Sequence, residues 1–426
     1  MPGKQTQLSP SARMNAISEQ SLCAGCGLCQ AVAGKDKIRF TKVASGYERP
    51  VIVGELDDAL VDKIFDVCPG TRIEGLPDAA MDADTKLDNV WGPWRRMVHG
   101  WAGDATVRYE GSTAGVLTAL AQFLLEEKWV DFILHVKAST TEPTFGERHL
   151  SFTHADVMEA AGSRYGPSAP LIDIDEILER EQPFAFIGKP CDIAALRNLA
   201  RHDTRVNRLV KYWLTPVCGG YVPQSGLDGF LNRVNIDGVS IQAFRYRGQG
   251  CPGPTKVTTD NGVHDFHYLD FWGEEESQWR LPFRCKVCPD GIGESADIAA
   301  ADTWPGGSPT REGSVDDPGV NAMVSRTKAG ENLLNAATEA GYLVLGTDLV
   351  PDELSAYQPH QVRKKYAVYD RFLGLNDVGR IVPKTHRLRI KALASDMVAS
   401  SRSYQREGTQ KRVVEGKASE DTPSLD

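Results

Sequence analysis

The chain has 426 residues, of which 41% are hydrophobic and 25% are charged, and its formal net charge is −9. This length exceeds one ordinary hydrophobic core, so we expect two or three structural units. The composition is typical of a soluble globular protein. The sequence has no run of about 18 apolar residues, so we expect no membrane-spanning helix. The negative net charge argues against a nucleic-acid partner.

The N-terminal segment MPGKQTQLSPSARMNA lacks the apolar stretch of a secretory signal. We therefore expect a flexible polar leader over residues 1–20 and a cytoplasmic protein. In that reducing compartment cysteines are more often ligands than disulfides.

The predicted elements begin with a small cysteine-bearing module over residues 21–85, which ends in the acidic stretch MDADTKLD. Residues 90–205 alternate between helix and strand. VDFILHV and PFAFIGK are predicted to be buried strands, and CDIAALRNLA a helix. Strand–turn–helix units of this kind build three-layer α/β domains. A helix before the first of these strands is predicted by the spacing of Leu117, Leu120, Leu124 and Leu125.

Residues 206–372 form a mixed second part, with predicted strands at RLVKYWLTPVC and GYLVLGT and a helix at GENLLNAATEA. Glycine and proline are dense between residues 248 and 320, which indicates long loops. For residues 373–426 we expect a helix and then a disordered tail, because the last thirty residues are polar and poor in aromatic side chains.

Eight of the nine cysteines fall into two sets of four, and the first set lies in CAGCGLC and VCPG. Two residues between successive cysteines let three thiolates wrap one face of a cubane [4Fe–4S] cluster, and a remote Cys-Pro supplies the fourth ligand. Gly25 and Gly27 allow the tight backbone that this requires. A zinc knuckle is the alternative, although zinc sites usually come as two separated C-x-x-C pairs. The first set comprises Cys23, Cys26, Cys29 and Cys68.

The second set is spread over the segments GKPC, TPVCGG and FRCKVC. Taken alone, each of these cysteines is as consistent with a buried free thiol as with a cluster ligand. The C-x-x-C pair alone is also consistent with a zinc site or with redox exchange. As a foursome they indicate a second cluster. Cys251, in QGCPGP, is left over and is predicted to be a loop thiol. The second set comprises Cys191, Cys218, Cys285 and Cys288.

Two segments carry small residues suited to a nucleotide or flavin. YEGSTAGVLTAL places four of them just before a helix, where exposed amides suit a phosphate or an isoalloxazine edge. This is not a Rossmann fingerprint, and a bare glycine-rich turn is a weak signal. AAGSRYGPSAP would hold a nucleotide by stacking and anion pairing, or would be an ordinary polar loop. The candidate contacts are Gly111, Ser112, Thr113, Gly115, Ser163 and Tyr165.

Three further residues are candidates for catalysis. Lys189 lies two residues before Cys191, and a cation beside a flavin stabilises its anionic reduced ring. His99 and His149 lie nearest the small-residue segments and are candidate proton donors. Isolated histidines are more often surface or satisfied groups, which is the alternative for both.

The segments GSTAGVLTAL, GKPCDIAALR, FRCKVCPDGIGESADIAAADTW and NAMVSRTKAGENLL together resemble the coenzyme F-420 hydrogenase/dehydrogenase beta subunit family, in the family order from about residue 90 to 370. CAGCGLC followed by VCPGTRIEGL is similar to its longer branch, which contains 7-hydroxymethyl chlorophyll a reductase and the ferredoxin-type divinyl chlorophyllide 8-vinyl reductases. The resemblance implies FAD, two [4Fe–4S] clusters bound by the two cysteine sets, and flavin contacts from the candidate residues and the Lys189 turn. The segment between 240 and 320 departs from the chlorophyll enzymes, so a tetrapyrrole substrate is not implied.

We therefore predict a mixed α/β (α+β) fold, with an N-terminal ferredoxin-like iron–sulfur module followed by a three-layer α/β flavin-binding core. The predicted function is an oxidoreductase that passes electrons from ferredoxin or a similar donor through two [4Fe–4S] clusters to FAD and an organic small molecule. The alternative is an electron-transfer beta subunit that works with a partner redox subunit and uses coenzyme F-420. A zinc-stapled binding module is the third hypothesis.

Overall fold

The computed structural model describes residues 8–236, 239–314 and 316–425. Strands and helices alternate through much of it, and both are numbered here in chain order. The strands are β1 Ile38–Lys42, β2 Glu48–Ile52, β3 Arg72–Glu74, β4 Lys86–Asp88, β5 Gly92–Trp94, β6 Arg96–Ala102, β7 Phe132–Ala138, β8 Gly146–Ser151, β9 Phe184–Ile187, β10 Val210–Pro216, β11 Ile241–Arg245, β12 Thr255–Thr259, β13 Gly262–Phe266, β14 Ile298–Asp302, β15 Asn321–Ser325, β16 Leu343–Asp348 and β17 Lys384–His386. The helices are α1 Pro10–Glu19, α2 Leu28–Ala33, α3 Asp58–Val67, α4 Ala105–Glu110, α5 Val116–Glu126, α6 His154–Glu159, α7 Ile174–Leu178, α8 Pro190–Leu199, α9 Thr204–Leu209, α10 Gln224–Arg233, α11 Tyr268–Trp272, α12 Phe283–Lys286, α13 Lys328–Glu339, α14 Pro351–Tyr357, α15 Pro359–Asp377, α16 Ile390–Ser395 and α17 Ala399–Val414.

An eight-stranded mixed sheet forms the centre, in the order β16-β6-β15-β14-β10-β9-β7-β8. Its middle strands β7, β9, β10 and β14 run parallel. β15 and β8 pair with this group in the antiparallel direction, and β6 and β16 continue the sheet beyond β15. The sheet therefore takes strands from both predicted parts of the chain, 90–205 and 206–372, and the prediction of a mixed α/β fold is confirmed.

Helices cover both faces of this sheet because successive side chains of a strand point to opposite sides. On β14, Ile298 and Ala300 pack with α5 and α13 in one core cluster. Ala299 and Ala301 join a second cluster on the opposite face, together with a residue of α14. β7 and β9 contribute phenylalanine rings to a third cluster, against α8 and α9.

The predicted elements of the sheet region are confirmed. VDFILHV forms β7, PFAFIGK forms β9, and CDIAALRNLA falls in α8. RLVKYWLTPVC and GYLVLGT give β10 and β16, and GENLLNAATEA falls in α13. The leucines with helical spacing lie on α5, most of them in the core.

The predicted flexible leader is wrong for the part of it that is described, because residues 10–19 form α1. The Ser9 side chain accepts a hydrogen bond from the backbone amide of Ala12 and so caps the start of the helix. Met14 and Ile17 are buried in a cluster shared with α3. This apolar pair anchors a segment whose polar composition alone suggested disorder. Residues 1–7 lie outside the described ranges.

The predicted disordered tail is also wrong where it is described, because α17 packs along α15. Arg402 binds the carboxylate of Asp370 at 3.1 Å. Arg406 binds Asp377 at 2.5 Å one turn further along. The polar helix α17 is thus stabilised by ion pairs to α15. Amino-acid composition alone cannot reveal contacts between two helices. Asp426 lies outside the described ranges.

Two smaller units flank the sheet. The β1–β2 hairpin, with α1 to α3, forms the cysteine-bearing module and shares a core with α15 and α16. The sheet β11-β12-β13 shares a second, aromatic core with α10 and α11. Among the described residues, no helix has both the length and the apolar content needed to cross a membrane.

Candidate functional site

A cavity of about 280 Å³ opens at the carboxyl ends of the parallel strands. Ile187 ends β9, Cys218 follows β10 by two residues, and Asp302 ends β14; all three line this cavity. In an open sheet the carboxyl ends of parallel strands are where ligands usually bind. The fold thus brings residues from distant parts of the chain to one site.

The predicted flavin contacts converge on this cavity. Six of them line it, and Gly111 lies directly behind, where an added Cβ would come 2.4 Å from the Cα of Gly115. The Ser163 hydroxyl donates to the hydroxyl of Ser112 at 2.8 Å and joins the two predicted segments. The six lining residues are Ser112, Thr113, Gly115, Ser163, Tyr165 and Lys189.

The turn before α5 has the geometry of an anion site. Thr113 and Gly115 have left-handed φ angles of 59° and 69°, and an added Cβ on Gly115 would lie 2.4 Å from the carbonyl oxygen of Val107. No side chain caps α5, and the first residues of the helix, from Val116, line the cavity. The amides of this helix start are therefore available to a phosphate.

Arg247 is a site residue that the sequence reasoning missed. Its Nη2 donates to Thr113 Oγ1 at 2.7 Å and its Nη1 to Asp302 Oδ2 at 2.9 Å. Burial opposes its charge, but Asp302, Tyr165 and Tyr268 together outweigh burial and raise the pKa of Arg247. Nε is buried without a hydrogen-bond partner. This leaves a buried cation with donor capacity at the cavity.

Aromatic side chains form one part of the cavity wall. Tyr165 meets Trp272 edge-on with ring centroids 4.9 Å apart. The Arg247 guanidinium lies 5.3 Å and 4.8 Å from the ring centroids of Tyr268 and Trp304. These aromatic residues line the cavity. The dense aromatic run HYLDFW, which contributes Tyr268 and Trp272, was the signal that sequence reasoning could have used.

Lys189 lines the cavity as predicted, but its charge is already balanced. Its Nζ lies 2.7 Å from Asp192 Oδ2 and donates to Ser168 Oγ at 3.4 Å. Burial disfavours the ammonium, yet the Asp192 carboxylate together with Cys191 and Cys218 outweighs it, so the pKa of Lys189 is raised. Lys189 therefore stays a cation, and Oδ1 of its partner carboxylate is buried without a hydrogen bond.

The two predicted catalytic histidines lie away from the cavity. His99, on β6, bonds Thr347 Oγ1 through Nδ1 at 2.9 Å. His149, on the edge strand β8, packs near His135 with ring centroids 5.5 Å apart. Neither is among the lining residues of the cavity, whereas His135 and His360 are. The structure thus gives the proposed catalytic role of these two no support.

All four cysteines of the first set line one small cavity of about 20 Å³ beside α2 and α3. Gly25 and Gly27 have φ angles of 74° and 83°, as the predicted tight loop requires. Burial raises the pKa of the Cys68 thiol to about 11, and the Gly70 amide donates to its sulfur at 3.3 Å. Burial raises the pKa of the other three as well.

The second set gathers around Arg284, beside the main cavity. Burial opposes the guanidinium's charge, but the nearby thiols of Cys288, Cys191 and Cys285 outweigh it and raise the pKa of Arg284. Burial raises the pKa of Cys218 to about 12, and the neighbouring thiols Cys285 and Cys288 add to that rise. Nη2 of Arg284 donates to the carbonyl of Pro69 at 2.6 Å, which joins this group to the first set.

Each cysteine set supplies four thiols, the number of ligands that a cubane [4Fe–4S] cluster takes. Among the described residues, no three His, Cys, Asp or Glu side chains converge to hold a single metal ion. A cubane binds its four thiolates through four different irons, so the ligands need not meet at one point. Metal binding would displace the protons that burial keeps on these thiols. Cys251 is buried in the loop after β11 and belongs to neither group.

Two family profiles match this chain. Residues 97–174 match the N-terminal region, and residues 182–348 the C-terminal region, of the coenzyme F-420 hydrogenase/dehydrogenase beta subunit. The chain belongs to this family. The matched residues carry the cavity turn, Lys189, Arg247 and the second cysteine set, whereas the first set lies before them.

Two similar proteins are named for coenzyme F-420. The coenzyme F-420-dependent sulfite reductase of Methanocaldococcus jannaschii is 23% identical over 344 residues, which are 76% of this chain and 47% of that protein. The match therefore spans about half the length of that relative. The coenzyme F-420 hydrogenase subunit beta of Methanothermobacter thermautotrophicus is 21% identical, with 59% of this chain and 84% of that protein covered. Neither relative is named as a chlorophyll enzyme, so the similarity of this chain to the longer branch of the family stays a prediction.

A solved structure shows the same fold. A chain of the F-420-reducing [NiFe] hydrogenase complex from Methanosarcina barkeri superposes with a TM-score of 0.51 at 20% identity. The similarity covers 68% of this chain and 97% of that one. Nearly all of that chain therefore has a counterpart here, and about a third of this chain lies outside the shared fold.

Proposed function

We propose that this member of the coenzyme F-420 hydrogenase/dehydrogenase beta subunit family is an FAD-containing iron–sulfur protein that moves electrons between coenzyme F-420 and one-electron carriers. One observation carries the proposal: Cys218 belongs to the second cysteine set and also lines the large cavity. A cluster there would adjoin a flavin held in the cavity. FAD exchanges single electrons with clusters and electron pairs with an organic partner.

The cavity residues have complementary roles in this proposal. The free amides at the start of α5 and the buried guanidinium of Arg247 would bind the phosphates of FAD. The wall that includes Tyr165 and Trp272 offers aromatic faces for a ring system. The ammonium of Lys189, held by Asp192, places a fixed positive charge at the cavity.

The names of the relatives favour one of the two predicted functions. The hydrogenase subunit beta and the sulfite reductase are both named for coenzyme F-420, which favours the electron-transfer alternative over a ferredoxin-driven reduction of an organic molecule. A subunit of this kind would work with a partner redox subunit. The first cysteine set, which lies before the residues matched by the family, would be the contact point for that partner or for a ferredoxin.

The first experiment is anaerobic purification followed by quantification of iron, acid-labile sulfide and released flavin. About eight irons and one FAD per chain are expected if both cysteine sets hold cubanes. About four irons with FAD would remove one cluster from the proposal. A colourless protein with bound zinc would overturn it.

The second experiment asks which carrier reacts. The oxidised protein is mixed anaerobically with one equivalent of reduced coenzyme F-420 or, separately, with reduced ferredoxin, and bleaching of the bound flavin is followed. Fast bleaching by reduced F-420 supports the proposal. Bleaching by ferredoxin alone would restore the ferredoxin-driven oxidoreductase.

A matched pair of variants tests the flavin site. Arg247→Gln removes the buried cation beside the α5 turn and should lower the FAD content of the purified protein at least tenfold, because charged hydrogen bonds contribute about 1.5–3 kcal/mol. Arg208→Gln is the control, since Arg208 is an exposed arginine that pairs with Glu181 and is not among the residues that line the cavity. Equal FAD content in both variants would contradict the assignment.

A further inference from the structure

The C-terminal segment 415–425 returns to the first cysteine module. The amide of Glu420 donates to the carbonyl of Glu19 at 3.0 Å, at the end of α1, and the Thr422 hydroxyl donates to the Glu19 carboxylate. Ala418 is buried in the core cluster that also contains Cys23. This segment therefore packs against the cysteine-bearing module.

The segment carries one carboxylate inward, onto a buried arginine. Arg49 Nε lies 2.7 Å from Glu420 Oε2 and its Nη2 lies 3.0 Å from Oε1, a two-point contact. The side chains are only 2% and 10% exposed. A third bond, from Arg49 Nη1 to the carbonyl of Glu48 at 2.9 Å, fixes the guanidinium, and the ring of Tyr47 lies 4.0 Å beneath it.

The fixed guanidinium lies against the CAGC loop. A Cβ added to Gly25, midway between Cys23 and Cys26, would be 3.9 Å from Arg49 Nη1. Ala24 and Gly25 of this loop line one small cavity together with Arg49. The buried pair of Arg49 and Glu420 therefore lies beside the loop that carries Cys23 and Cys26.

A pair in this position acts on any cluster that the thiols hold. Reduction adds one negative charge to a cluster, and the potential depends on net charge and on hydrogen bonds to the sulfurs. Water screens charges poorly at buried sites, so a nearby cation or carboxylate retains much of its effect. Arg49 would favour the reduced cluster, and Glu420 would oppose it.

We propose that Glu420 sets the reduction potential of the first cluster by balancing and holding Arg49 beside the CAGC loop. The C-terminal segment is thus a tuning element for the site where one-electron carriers react. This inference rests on the proposed function only in requiring a cluster at Cys23, Cys26, Cys29 and Cys68. Glu420 is a positioning residue, since it acts through the arginine.

The test is the midpoint potential of the first cluster in the full-length, cluster-loaded protein, measured by redox titration with electron paramagnetic resonance. The signal that disappears in Cys29→Ser identifies that cluster. Glu420→Gln removes a negative charge and should raise the ratio of reduced to oxidised cluster at least threefold at the wild-type midpoint. For one electron this is a positive shift of about 28 mV, since tenfold corresponds to 59 mV.

Three comparisons make the result specific. Glu420→Asp keeps the charge and should stay within twofold of the wild-type ratio. Glu415→Gln is the matched control, because Glu415 is an exposed carboxylate in the same segment that pairs with Lys417. The second cluster should keep its potential in every variant and serves as an internal reference.

The outcomes separate this inference from the proposed function. Wild-type protein without iron at the first set would overturn both. An intact first cluster whose potential is the same in Glu420→Gln and wild type would overturn only the tuning role. Equal shifts in Glu420→Gln and Glu415→Gln would also overturn it, because they would show an unspecific effect of net charge.

Discussion

Replacement of Lys365 by methionine should destabilise the loop that follows Cys288. Lys365 Nζ binds the Glu294 carboxylate and donates to the carbonyl of Pro289 at 3.0 Å. Lys365 is 3% exposed and Glu294 is fully buried. Burial raises the pKa of Glu294, but Lys365 and then Arg389 outweigh it and keep the pKa low. The variant removes the first of the cations that compensate this buried carboxylate and leaves Arg389 and Arg326.

The expected loss in the free energy of unfolding is about 3 kcal/mol. Removal of one partner from a buried ion pair costs about 3–5 kcal/mol, and Arg389 remains bound to Glu294, so the lower end applies. With an unfolding entropy of about 2.1 cal/mol/K per residue over 426 residues, this corresponds to a fall in Tm of about 3 °C.

Thermal unfolding of the anaerobic, cluster-loaded protein at one fixed scan rate measures this change. Lys391→Met is the control, because Lys391 is exposed on α16. Adding Glu294→Gln to Lys365→Met removes the uncompensated charge and should recover part of the loss. If Lys365→Met melts within 1 °C of the control, by roughly the scale above, the network does not stabilise the fold and the reasoning fails.

Three further predictions concern the cofactor sites and pH. Cys26→Ala should lose about four irons per chain while FAD stays bound; unchanged iron would refute the first ligand set. Lys189→Met leaves Asp192 uncompensated beside the cavity and should lower the flavin potential in a dye-equilibrated titration, and an unaltered potential would show that Lys189 does not act on the flavin. His135 is buried and bonds Ser151 Oγ at 2.7 Å, and burial lowers its pKa to about 3, below the unfolded value of about 6.5. As pH falls from 6.5 towards 3, this histidine therefore binds a proton in the unfolded chain but not in the folded one. Its contribution should make the free energy of unfolding in urea about 2 kcal/mol lower at pH 5 than at pH 7. His135→Gln should flatten that difference, and an equally steep pH dependence would contradict the assignment.

Local patterns in the sequence predicted four of the eight strands of the central sheet, β7, β9, β10 and β16, and the helices α5, α8 and α13. The strand before the Lys189 turn and the helix after it were visible because apolar runs, glycine and proline mark strand and helix ends within a few residues. The four cysteines of the first set were predictable as a group for the same reason, since three of them lie within seven residues.

The parts that sequence reasoning missed depend on contacts between distant residues. Arg247 lies in a loop, and its hydrogen-bond partner Thr113 is 134 residues away in the sequence. The bond from Arg49 to Glu420 spans 371 residues, so the docking of the polar C-terminal segment could not be read from its composition. The aromatic wall was predictable only in part, because the run HYLDFW carried no indication of which face it would line.

The positions of the two cysteine sets give the proposed electron path an order. Cys218 of the second set lines the large cavity, whereas the cysteines of the first set surround their own small cavity. Arg284 joins the two groups, since it lies among the second-set thiols and donates to Pro69, the neighbour of Cys68. A carrier that reacts at the first set would therefore reach the flavin through the second. Under this order, loss of the first cluster should abolish electron exchange with the one-electron carrier and leave flavin reduction by coenzyme F-420 intact. If both reactions were lost, the first set would lie on the path from coenzyme F-420 itself.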